Sequence, residues 1–110
     1  MIAEADVDAA VAFLRSSASK AAEARANTLY LAEWLKTVRA QVKLKQAGLS
    51  NAAAEDVALA STEFTETLSA YRQAAEADFT FRFKREAASA VIEAWRTEQA
   101  SLRAEGKAYG

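Results

Sequence analysis

The chain is 110 residues long, balances 14 Lys and Arg against 15 Asp and Glu for a net charge of −1, and contains no Cys, His or Pro. That length makes one domain at most. Without thiols or imidazoles, disulfides, zinc sites built on thiolate or imidazole and every His- or Cys-based catalytic apparatus are excluded, and the near-neutral balance argues against bulk nucleic-acid binding, which usually brings a basic domain.

Apolar residues make up 52% of the chain, but about a quarter of the chain is alanine, which buries little area per residue. A closed monomeric core is therefore thin. Glycine occurs only at 48, 106 and 110, so few places to turn exist, and alanine is the strongest helix former. The expected fold is all-α, with long helices and few loops. The acidic start MIAEADVDAA has no basic region followed by an apolar run and does not read as a signal peptide. No apolar run approaches the length that spans a bilayer. A cytoplasmic protein without a membrane partner is expected.

The first helix is expected over residues 6–47, closed by Gly48. Following the heptad from Val7 gives Val7, Leu14, Ala21, Thr28, Leu35 and Val42 at one position and Ala10, Ser17, Ala24, Leu31, Val38 and Lys45 at its partner. This is a seam of 3.5-residue period. Its large residues sit toward the ends, and the small ones between would let another backbone come close. Ser16, Ser17 and Ser19 form the weakest point, where the helix could bend or break. An unbroken rod of this length would run about 60 Å, too long for a compact domain of this size. The charges suit the same element: Glu4, Asp6 and Asp8 stand at its start, and Lys36, Arg39, Lys43 and Lys45 at its end, which complements the helix macrodipole.

Gly48 suits the residue just past a helix end, and Ser50 or Asn51 can cap a short helix over 51–60. Ser61 or Thr62 caps a last helix expected over 62–105, with no breaker before Gly106. The resulting architecture is two long antiparallel helices bridged by a short one, a helical hairpin with coiled-coil-like periodicity.

Residues 78–86, DFTFRFKRE, break the general pattern. Phe79, Phe81 and Phe83 alternate with polar residues at the period of a strand. No other segment alternates, however, and an unpaired strand is not stable, so the stretch is expected to be helical. At 100° per residue, Phe79 and Phe83 share a face with Phe64, Leu68, Tyr71 and Ala75, while Phe81 lies on the side of Ala88, Trp95 and Leu102, with Val91 between. The buried face is then expected to change sides midway along the last helix, which one partner helix cannot cover. A homodimer resolves this, with Phe81, Ala88, Val91, Trp95 and Leu102 as the oligomer interface.

Two small basic patches are candidates for contact with nucleic acid or an acidic partner: Lys36, Arg39 and Lys43 at i, i+3 and i+7, and Arg82 and Arg85 beside the phenylalanines. Trp34, Trp95, Tyr30 and Tyr71 are aromatic groups able to stack. The plainer reading makes the aromatics core and the bases their solvated rim, so direct nucleic-acid binding is expected to be weak or absent. Glu63 and Glu66 could share a face, but no Glu-x-x-His accompanies them, and no metal or other cofactor is expected. No Ser-x-x-Lys, Gly-x-Ser-x-Gly or phosphate-cradling glycine loop occurs, so the chain is not expected to be an enzyme.

Residues 20–40, KAAEARANTLYLAEWLKTVRA, and 87–107, AASAVIEAWRTEQASLRAEGK, resemble a family of small helical proteins of tailed phages and prophages. Members end in an Ile-Glu-x-Trp-Arg-Thr stretch and a polar tail closing on Arg-Ala-Glu-Gly. Here those residues are Ile92, Glu93, Ala94, Trp95, Arg96 and Thr97, then Arg103, Ala104, Glu105 and Gly106. The segment 50–86 departs from that pattern. Genes of this kind are found near those for recombination and single-strand annealing. The resemblance implies a non-enzymatic phage accessory protein in the bacterial host cytoplasm, binding a phage or host DNA-processing protein in recombination or replication. The alternative is a counter-defence inhibitor directed at a host nuclease or a CRISPR complex.

Overall fold

The computed structural model describes residues 1–109, and they form three α-helices: α1 (Glu4–Leu44), α2 (Asn51–Ala60) and α3 (Thr62–Tyr109). No strand occurs among the described residues, and 78–86 lies within α3. The architecture is the all-α one expected from composition, two long helices with a short one between them.

Local chemistry sets the helix ends. At the close of α1 the chain tightens into i, i+3 bonds, with the Lys45 and Gln46 amides donating to the Val42 and Lys43 carbonyls at 3.1 and 3.0 Å. Gly48 then takes a φ of 82°, a left-handed conformation that only glycine adopts readily. This tightening ends α1 at Leu44, three residues short of the expected limit. Ser50 caps α2, its hydroxyl accepting from the Ala53 amide. Ser61 serves two helices at once. Its backbone and side chain both donate to the Ala58 carbonyl at the end of α2, and its hydroxyl accepts from the Phe64 amide at the start of α3. At the far end, α3 continues through Gly106, which was expected to stop it. A single glycine costs a helix only about 1 kcal/mol and does not forbid it, and a Cβ there would meet nothing.

Two compact units are built from these helices. One joins Met1–Ala21 to the part of α3 from Thr80 onward, and the other is Ala22–Phe79. In the second unit, Val38 and Val42 of α1 meet Ala58 of α2, and Phe64 of α3 packs against this cluster. Ala58 is fully enclosed. Farther along the same unit, Arg25 pairs with Asp78 at 3.3 Å. The contacts Val38 and Val42 with Phe64, then Arg25 with Asp78, run in opposite sequence directions, so the segments of α1 and α3 are antiparallel.

The first unit is antiparallel by the same criterion: the Ile2 amide bonds the Glu98 carboxylate, and Arg85 reaches Leu14 and Ser17. Val7, Ala10 and Ser17 of α1 and Ala88 of α3 are buried in this unit. No large side chain is fully buried anywhere among the described residues, the thin core expected of an alanine-rich chain.

The heptad positions of α1 coincide with its covered stripe: every one from Val7 to Val42 is buried or half-buried, and only Lys45 is exposed. The Ser16, Ser17 and Ser19 cluster stays helical, because Ser17 is buried on this stripe and takes a hydrogen bond from Arg85. On α3 the covered positions also alternate at three and four residues: Phe64, Thr67, Tyr71, Ala74, Asp78, Phe81, Arg85, Ala88, Ile92 and Trp95. The expected change of sides does not occur. Phe79 and Phe83, which set the first of the two expected faces, are exposed, and Asp78 and Arg85 take the covered positions in their place.

Candidate functional site

The cations singled out from sequence are mostly engaged inside their own chain. Glu55, one turn into α2, accepts from Arg39 at 3.0 Å and lies 3.8 Å from Lys43. One carboxylate therefore clamps two of the three bases of the first patch, because the turn after α1 lays α2 beside its last turns. Lys36 pairs with Glu33 at 3.2 Å on an exposed surface. Arg85 is half-buried, and its Nη1 donates to the Leu14 carbonyl at 2.7 Å and to the Ser17 hydroxyl at 2.8 Å. Arg82 lies on the exposed side of α3. Lys36, Arg39 and Lys43 belong to one unit, and Arg82 and Arg85 to the other.

The residues expected at an oligomer interface are mostly covered within the single chain. Phe81, Ala88, Val91 and Trp95 are buried or half-buried within the single chain. Leu102 is 47% exposed. The other two phenylalanines of the 78–86 stretch point outward, Phe79 at 47% and Phe83 at 63% exposure. In the unit Ala22–Phe79 a second exposed group appears on α1. Tyr30 and Trp34 stack with centroids 6.4 Å apart and planes 6° from parallel, with Leu29 exposed beside them.

In the first unit, α1 and α3 leave an open groove of ≈ 660 Å³. Its walls are apolar: Ile2, Ala9 and Phe13 on one side, Ala87 and Val91 on the other, with Ala10 and Ala88 at the floor. Two charged groups complete the lining, Asp6 of α1 and Lys84 of α3. Arg85 bonds to Leu14 and Ser17, which sets Lys84 about level with residues 15 and 16 of α1. Asp6 is then roughly 15 Å away along the helix axis, one turn inside the opposite end of the groove, which Ile2 forms. Neither side chain has an ion-pair partner among the described residues.

Sequence reasoning missed this groove because Phe13, Ala9 and Ala87 flank the heptad stripe and do not occupy it. It also missed Glu55 as a clamp and Ser17 as an acceptor. A lone hydroxyl at an apolar seam position was the available signal for Ser17. Chemically, the described residues offer apolar contact, one unpaired acid and one unpaired base in the groove, and no group of three or more carboxylates close enough to hold a metal ion. Among the described residues no helix is long and apolar enough to cross a membrane. No family model, curated protein or solved structure matches the chain.

Proposed function

We propose that this chain is a non-enzymatic, protein-binding accessory factor of phage DNA recombination or replication, acting in the bacterial cytoplasm on a phage or host DNA-processing protein. The observation that carries the protein-binding half is the clamp on Glu55. Arg39 and Lys43 already neutralise a carboxylate of their own chain, and Arg85 is held by Leu14 and Ser17. Phosphate contacts supply most of the affinity in nucleic-acid binding, and each needs an available cation. Apolar and aromatic side chains, among them Leu29, Tyr30 and Trp34, remain at the surface instead. Such groups are the usual anchors of protein interfaces. The phage setting rests on the resemblance of residues 20–40 and 87–107.

Affinity capture of the tagged chain from phage-infected cells, with cross-linking and mass spectrometry, tests the reading. Recovery of a recombinase, a single-strand-binding protein or a replication protein, unaffected by nuclease treatment, is the expected result. Recovery of a host nuclease or a CRISPR complex would overturn it in favour of counter-defence. Single-stranded DNA binding that survives about 200 mM salt would also overturn it, because a few phosphate contacts lose most of their affinity at that salt.

A further inference from the structure

The groove of the first unit has the charge pattern of a surface that fits itself. Its middle is apolar and built largely of small residues: Ala9, Ala87 and Val91 beside Phe13. Asp6 lies toward one end, a turn inside Ile2, and Lys84 closes the other; both are exposed and neither forms an ion pair among the described residues. A two-fold axis lying in the groove face, through its apolar middle and inclined to the helices, superposes the Asp6 end of one copy on the Lys84 end of another. In an isologous contact each such pairing occurs twice, so one acid and one base per chain give two ion pairs across a single interface. The alanines allow the helices of the two copies to approach closely, and Phe13 supplies the largest apolar side chain at the contact.

We propose that this groove is where a second copy of the chain docks, with Asp6 of each copy facing Lys84 of the other. Reciprocal charge is the reason to choose a second copy over an unrelated helix, since an unrelated partner has no cause to match both ends at once. The interface differs from the one expected from sequence. Ala88 and Val91 are shared, whereas Phe81 and Trp95 are covered within the chain and Leu102 lies outside the groove. The inference does not depend on the proposed function.

The test is the oligomeric state of the full chain, measured by sedimentation or light scattering at micromolar concentration. A dimer is expected. Asp6→Lys and Lys84→Asp each place like charges at both ends of the interface, and each is expected to weaken self-association at least about tenfold. Mixing the two variants restores complementary charge at both ends, so the mixture dimerises although neither variant does alone. The double variant Asp6→Lys with Lys84→Asp dimerises by itself for the same reason. Circular dichroism confirms that each variant remains helical. Ala87→Arg, which leaves the ion pairs in place and fills the middle, also yields monomers. A monomeric unmutated chain, or single variants that dimerise as well as it does, would overturn the proposal. Failure of the mixture to recover would do the same.

Discussion

Arg85 of α3 donates to the hydroxyl of Ser17 on α1 at 2.8 Å, and Ser17 is only 4% exposed. The same Nη1 reaches the Leu14 carbonyl at 2.7 Å. A helix-spanning bond from a charged donor to a buried hydroxyl is worth more than a surface contact, because removing the donor leaves the acceptor away from water. Arg85→Met is expected to lower stability by about 1–3 kcal/mol. Ser17→Ala removes the hydroxyl itself and should cost less. In urea titrations followed by circular dichroism, non-additivity of the double variant measures the coupling. An Arg85→Met protein as stable as its parent would show that this bond does not hold the helices together.

The two nearby phenylalanines Phe81 and Phe83 separate the inward from the outward face of α3. Phe81 is half-buried and lies four residues before Arg85, whereas Phe83 is 63% exposed. Full truncation of a buried phenylalanine costs about 3–5 kcal/mol, and a half-buried one about half of that. Phe81→Ala is therefore expected to destabilise by about 2 kcal/mol, and Phe83→Ala by at least 1 kcal/mol less. Thermal unfolding of the two variants decides the matter, and the reverse order would mean that α3 is rotated relative to its partner.

Ala58 has no exposed surface, while its neighbour Val57 is 40% exposed. Added methylenes at a closed site force side chains off their rotamers, so Ala58→Leu is expected to cost about 1–3 kcal/mol. Val57→Ala should stay within about 0.5 kcal/mol of the parent, as surface changes usually do. Chemical denaturation of both gives the contrast. An Ala58→Leu protein of unchanged stability would place α2 farther from Val38 and Val42 than the structure has it.

Glu55 holds Arg39 and Lys43, and its neutralisation should release both. Glu55→Gln is expected to raise affinity for single-stranded DNA at low salt. It should also steepen the slope of log affinity against log salt by about 1.4, two phosphate contacts at roughly 0.7 each. Gel shifts across a salt series measure this. No change in slope would mean that these cations are not restrained by Glu55.

Much of this protein was legible as local chemistry. Gly48, Ser50 and Ser61 announce the close of α1, both ends of α2 and the start of α3, because capping bonds close within a turn or two of their own residue. The heptad of α1 announces its covered stripe because nearly all its positions hold small or apolar side chains. On α3 the same reasoning misplaced the buried face. Its seam includes Asp78 and Arg85, polar residues that a hydrophobic pattern assigns to solvent, so the pattern was completed with Phe79 and Phe83 instead. What keeps Asp78 and Arg85 inside is their partners, Arg25 on α1 for one and Ser17 with the Leu14 carbonyl for the other. The cations were misjudged for the same reason: Arg39 and Lys43 are a basic stripe until α2 folds back and brings Glu55 to them. Amino-acid order by itself determined where the helices lie and how α1 faces inward, since hydrogen bonds within a turn and apolar periodicity are local. Tertiary structure decided which side of α3 is buried, which charges are neutralised and where the groove opens, since each depends on groups far apart in sequence that meet only when the helices pack.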